Sequence, residues 1–314
     1  MSPETEALDS SVFDYEDTTL SPPIAKSTLA SDRATKCLHD DLPEVLSAVL
    51  PGHGEPGASC GQPVPYHCND DDRSFWTYSS CMLRVCPYCF EKWAFKEANA
   101  ASWRVWQGME YLYWQYVINA RLMHIVVSIR WDGQTLQECR NKVMWVLKDH
   151  GVDGGLLVFH PFRKDKETNQ YHNDGTVHFH CLVAVVDTVA GGSEQEYADG
   201  TFFKIIPNMD GDFNGIQSLE NAKRAVAYLL SHCGLIEGKH SVTWFGSMAY
   251  NKLSTKAIEA TYGGAPEPPQ KECPYCHGHN TESCYGYDYF QGGQFLVHPL
   301  PDEPMPDSPI RKRE

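Results

Sequence analysis

The stretch TVHFHCLVAVV, Thr176–Val186, most narrows what this chain can become. In an extended strand, alternate side chains point to opposite faces. Val177, Phe179, Cys181, Val183 and Val185 therefore share one side, and His178 and His180 stand on the other. Two imidazoles on one strand face lie about 6 to 7 Å apart, close enough for both to ligate one divalent ion.

The neighbouring segments supply the rest of an α+β fold. Residues 91–114 contain one Gly and no Pro, and place Trp93, Ala94, Ala98, Ala101, Val105 and Met109 at helical spacing. LMHIVVSI, at 122–129, is short, apolar and β-branched, as a buried strand is. TLQECRNKVMWVLKDHG predicts a helix with Thr135 as N-cap, Leu136, Val143, Val146 and Leu147 on one side, and Gly151 as the stop. Strands over 154–162 and 176–186, separated by a polar segment containing Asp174-Gly175, suit an antiparallel hairpin with a long loop. Residues 218–234 predict a helix opened by Ser218 and closed by Gly234, and HSVTWFG, at 240–246, alternates as a further strand. Hairpin-connected strands mixed with helices predict an antiparallel sheet, not a doubly wound nucleotide fold.

Tyr228 lies in the middle of the 218–234 helix, with Arg224 four residues before it and His232 four after, so the three share one face. A phenol flanked by a guanidinium and an imidazole suits phosphoryl transfer: the phenolate attacks and the cation steadies the charge developing on phosphate. His178-Phe179-His180 resembles the histidine-hydrophobic-histidine motif of HUH endonucleases. HIVVSIR (124–130), GGLLVFHPFR (154–163) and YLLSHCG followed by VTWFG look like the corresponding parts of rolling-circle replication initiators from archaeal plasmids and viruses. The resemblance spans roughly residues 60 to 290.

It implies a central antiparallel sheet of about five strands flanked by helices, in a site-specific single-stranded DNA nickase and strand transferase. His178 and His180 would hold Mg²⁺ or Mn²⁺, and Tyr228 would form a 5′-phosphotyrosine link, leaving a 3′-OH that primes synthesis. His160, on the neighbouring strand, is the candidate third ligand, with His172 a weaker one, and three imidazoles would favour Mn²⁺. Two departures from the family stand out. Ser231 occupies the place where many relatives carry Lys, with His232 next to it as the candidate for phosphate contact or proton transfer, and no second Tyr shares the helical face. A single-tyrosine enzyme would end replication through a second protomer or an activated water. The partners expected are single-stranded or stem-loop origin DNA, contacted by Arg224, Lys223, Arg163, Lys164 and Lys252, and a host helicase and polymerase. The chain holds no Gly-x-x-x-x-Gly-Lys-Ser/Thr loop of a fused helicase.

Twelve Cys in a chain expected to stay in a reducing cytoplasm argue for zinc rather than disulfides. Two Cys-Pro-Tyr-Cys units, at 86–89 and 273–276, carry the two-residue spacing of zinc knuckles. The preferred first set is Cys60, Cys68, Cys86 and Cys89, with Cys81 able to replace either upstream Cys and His67 nearby. The second knuckle, Cys273 and Cys276, has His277, His279 and Cys284 within reach, and the two knuckles hold either one ion each or one shared ion. Cys37, Cys139, Cys181 and Cys233 read as small apolar fillers.

The organisation expected is an acidic, disordered tail over 1–45, a Cys-rich module over 52–90, the endonuclease domain over 91–270, a second Cys/His element over 271–298, and a Pro-rich, disordered tail over 299–314. No apolar run reaches the ~18 residues of a membrane span, and the acidic N-terminus does not resemble a signal peptide. The net charge of −15 sits awkwardly with DNA binding, but −8 of it falls within residues 1–58 and −1 within 299–314, leaving −6 for the rest. Two other functions fit the same residues: a zinc-dependent DNA-binding regulator without catalysis, and a hydrolase that activates water at the histidine cluster.

Overall fold

The computed structural model describes residues 45, 47–116, 120–165, 167–168, 170–172, 176–186, 189–208, 211–266, 272–279, 281–283, 290–291, 294–295, 301 and 305–306. Nearly all of the two expected tails, along with Cys37 and Cys284, lies outside them. In chain order the elements are β1 (Pro63–Cys68), β2 (Arg73–Tyr78), α1 (Phe90–Tyr116), β3 (Ala120–Arg130), α2 (Leu136–Asp149), β4 (Val152–His160), β5 (Arg163–Lys164) and β6 (Tyr171–His172). There follow β7 (Thr176–Val186), β8 (Glu194–Glu196), β9 (Phe202–Ile206), α3 (Leu219–Ser231), β10 (Val242–Gly246), α4 (Thr255–Tyr262) and β11 (Thr281–Ser283). No helix among the described residues is long and apolar enough to cross a membrane.

The protein is α+β, with four helices among the described residues and a six-stranded antiparallel sheet in the order β10-β4-β7-β3-β9-β8. The strand carrying His178 and His180 is thus an interior one, paired on both sides along its length. Six strands replace the five expected, because β8, three residues long, extends the edge beyond β9. A separate three-stranded sheet, β11-β1-β2, joins the two Cys-rich regions.

Strand alternation divides the sheet into two unlike faces. On one, Val127, Ile129, Phe159, Phe179, Cys181 and Phe203 meet Val143, Val146 and Leu147 of α2. α2 begins where expected: the Thr135 hydroxyl accepts from the Glu138 N–H, and the Glu138 carboxylate accepts from the Thr135 N–H. On the other face, Leu122, Leu156, Val158, Leu182 and Ala184 lie under α1 and α3 against Ala98, Val105, Val226 and Leu229. Each large apolar side chain so enclosed contributes about 1.5–3 kcal/mol.

Helices α1 and α3 cover only part of their face. Continuing along the same rows, His160 pairs in register with His178, Val158 with His180, Val126 with His180 and Ser128 with His178. The helix-facing rows therefore pass from aliphatic to imidazole where the helical cover ends.

The end of α3 is brought to this point by Gly234. Its N–H donates to the Phe159 carbonyl at 2.7 Å, and a Cβ there would stand 2.5 Å from Pro161 Cδ and 2.8 Å from the Phe159 ring. Gly234 serves close approach; it lies three residues beyond α3, and the helix is capped by His232. Gly234→Ala is expected to lower stability by about 1–3 kcal/mol through overpacking, read by denaturant titration, and to weaken metal binding as His232 moves from His160. An unchanged midpoint would show that the approach is loose.

Candidate metal and nucleophile site

His160, His180 and His232 each bring one ring nitrogen to a common point, all within 4.8 Å of one another. β4 supplies His160, β7 supplies His180, and His232 caps α3. The His160 ring centroid lies 4.5 Å from that of His180 and 4.5 Å from that of His232. His160 is fully buried, and neither of its ring nitrogens has a hydrogen-bond partner. Leaving a buried polar atom unsatisfied costs about 1–3 kcal/mol, so a ligand that engages those nitrogens is what the site's chemistry calls for.

This arrangement revises the expected set of His160, His178 and His180. His178 is close by, with ring centroids 5.2 Å from His180 and 5.4 Å from His160, but it falls outside the converging group. The reason is tertiary: the end of α3 lays His232 beside His160, and His178, two residues before His180 on β7, lines the same cavity without joining the group. His172, the weaker candidate, is exposed on β6 opposite Arg163.

A fifth histidine completes the arrangement, and nothing in the sequence had singled it out. His124 Nε2 and His180 Nδ1 are 2.8 Å apart. A ligating imidazole donates its second N–H to a neighbour, which fixes its tautomer and ring plane; were His180 to hold an ion through Nε2, its Nδ1–H would have His124 Nε2 as the acceptor. Its position two residues before Val126 in β3, on the face shared with His178 and His180, was the available signal. Burial holds the His160 and His180 imidazoles well below their ordinary 6.5 and brings His124 and His232 to about 4. All four are neutral near pH 7, the form that ligates metal.

Tyr228 lies one turn before His232, with ring centroids 4.5 Å apart. It is 37% exposed, and burial of the remainder raises its phenol above the ordinary value of 10. Tyr171 also stacks on His232, with ring centroids 5.9 Å apart. A cavity of about 450 Å³ opens over these groups, bounded by His178, His180, Tyr228 and His232 and by the cations Arg163, Lys164 and Lys204. Lys204, on β9, is held by Glu194 at 2.6 Å.

Of the expected DNA contacts, Arg163 and Lys164 line this cavity, whereas Arg224, Lys223 and Lys252 do not. Arg224 is exposed and meets Glu220 at 3.4 Å within α3, and the Lys223 ammonium lies 4.3 Å over the Phe95 ring of α1. The helical face that carries Arg224 one turn before Tyr228 has already left the cavity.

The cysteines form two groups. Cys60, Cys81, Cys86 and Cys89 converge, as do Cys68, Cys273 and Cys276. Tetrahedral thiolates at ~2.3 Å from zinc stand roughly 3.8 Å apart; the Sγ distances are 3.5 Å for Cys60–Cys86, 3.2 Å for Cys60–Cys89 and 3.5 Å for Cys68–Cys276. Cys81 thus takes the place expected for Cys68. The β1–β11 pairing, with Cys68 opposite Thr281, draws Cys68 to the second knuckle instead. His279 is exposed and stands outside that three-thiol group, and Cys284 lies outside the described residues. Cys139, Cys181 and Cys233 are buried in the apolar core.

No family model, no curated protein and no solved structure matches this chain.

Two measurements test the assignments. Elemental analysis is expected to find two zinc ions per chain, one lost in Cys81→Ser and the other in Cys276→Ser; loss of the same single ion in both variants would mean a shared site. His124→Phe is expected to weaken divalent-ion affinity at the histidine group by about 10–100-fold, and calorimetry showing wild-type affinity would remove His124 from the site.

Proposed function

We propose that this chain is an HUH-type single-stranded DNA nickase and strand transferase that initiates rolling-circle replication. The observation that carries the proposal is the pairing of Tyr228 with His232 one turn later, whose imidazole meets His160 and His180 beneath a cavity edged by cations. A histidine strand and a helix bearing a tyrosine occur in many folds, but their convergence on one point serves phosphoryl transfer.

In this reading the Tyr228 oxygen attacks the scissile phosphorus, an O–P bond forms, and the bond from phosphorus to the 3′ oxygen breaks. The departing 3′ oxygen takes up a proton equivalent to the one the phenol releases. Because burial strengthens the phenol's hold on its proton, attack needs positive charge nearby; Arg163, Lys164 and Lys204 border the cavity and suit the phosphate oxygens. The residues fit a divalent ion: His160, His180 and His232 would hold it, and it would supply Lewis-acid polarisation of the phosphate. Three imidazoles favour Mn²⁺ over Mg²⁺. Conserving the phosphodiester as a phosphotyrosine lets the displaced strand rejoin without ATP, with unwinding and synthesis left to a host helicase and polymerase.

A hydrolase using activated water would need the same three histidines but not the phenol. Tyr228→Phe separates the two. With single-stranded oligonucleotides and Mn²⁺, the wild type is expected to form a denaturation-resistant protein–DNA adduct, and the variant to lose it by about a thousandfold or more. Undiminished cleavage without an adduct would establish the hydrolase; binding with no cleavage by either protein would establish the zinc regulator.

A further inference from the structure

A second cavity adjoins the first. It measures about 280 Å³ and shares two walls with the catalytic cavity, Tyr171 and His232. Its remaining walls include Pro51, His53, Phe90 and Glu91. A chain passing Tyr228 therefore finds a side chamber at once, of a size suited to a single planar ring system and walled by two aromatic side chains.

The chamber's polar groups define what enters. Glu91 and His53 are exposed, and neither forms a hydrogen bond or ion pair with the described residues. A carboxylate repels a phosphodiester, so the group it receives is a base edge rather than backbone. Carboxylates accept from exocyclic amino groups, as Glu and Asp do from cytosine N4. Thymine carries no such group. Phe90 and Tyr171 offer faces for stacking, which any base can use.

The chamber is framed by the four-thiol group. Phe90 and Glu91 directly follow Cys89 and open α1. The segment carrying Pro51 and His53 is tied to the same module, since the Gly52 N–H donates to the Arg84 carbonyl at 3.0 Å and the Gly54 N–H to the Val85 carbonyl at 2.7 Å. Gly52 has φ +78°, and a Cβ on it would stand 2.6 Å from Phe90 Cδ1, so only glycine leaves the Phe90 ring where it is.

We propose that this chamber is a nucleobase pocket, built by the four-cysteine knuckle, that admits a base bearing an exocyclic amino group from the strand whose phosphate lies at Tyr228. The pocket deepens the nickase reading and rests on it. It gives the knuckle a part in choosing the cleavage site in addition to its structural one.

The test uses the full-length chain, a randomised single-stranded oligonucleotide library and Mn²⁺, with both the protein-linked and the released fragments sequenced. The wild type is expected to disfavour thymine about tenfold at one position within two nucleotides of the link, in line with the discrimination a single base-edge contact provides. Because preference is a ratio within one reaction, it does not depend on overall yield. Glu91→Ala, a truncation of an exposed side chain that removes the acceptor, is expected to erase most of that preference, and Gly52→Ala to blur it by moving Phe90. Adducts that show the same thymine bias in Glu91→Ala as in the wild type, or no bias in the wild type, overturn the pocket and leave the nickase standing. Absence of any wild-type adduct overturns both.

Discussion

The buried His160 side chain sets the terms for everything around it. A fully enclosed imidazole with two unengaged nitrogens is unfavourable on its own, and the surrounding structure brings to it two partners from separate elements. β7 lies beside β4 in register, so that His178 stands directly opposite His160 and His180 one pair further in. α3 then returns across the same face, with His232 at its end. His232 would not reach His160 if Gly234 could not press against Phe159 and Pro161.

This geometry couples the Tyr228 phenol to the histidines through a single helix and its cap. Tyr228 sits in the last turn of α3 and His232 caps it, so an ion held by His160, His180 and His232 would also set the height of the phenol over the sheet. The aliphatic half of that face, from Leu122 to Ala184, anchors α3 by ordinary apolar burial, and the imidazole half uses the resulting placement. Core and site are two ends of the same strand rows.

Local patterning made much of this legible. The helix over α2, its capping box and its buried row follow from Thr135, Glu138 and the spacing of Leu136, Val143, Val146 and Leu147. The β4–β7 hairpin follows from two apolar runs around a turn-bearing loop. His160 was legible as a candidate ligand only through the family resemblance, which puts a third ligand on the strand beside the two-histidine one. β8, β9 and α4 are short, and their few side chains carry no periodicity strong enough to read. The distribution of Cys68 and Cys81 between the two thiol groups was open for a different reason: spacing constrains neighbours within a knuckle, and only the β1–β11 pairing tells which distant Cys comes near.

What the sequence by itself determined is which faces exist: the alternation of β7 separates Phe179 and Cys181 from His178 and His180, and the spacing of α3 puts Tyr228 and His232 on one side of a helix. Both are properties of a backbone with a fixed period. Only the tertiary structure decided which faces meet. It exchanged His178 for His232 in the converging group, added His124 behind His180, and turned Arg224 away from the cavity, because those choices depend on how α3 crosses the sheet. A helix's crossing angle and height come from packing between residues far apart in the chain, and no local pattern encodes them.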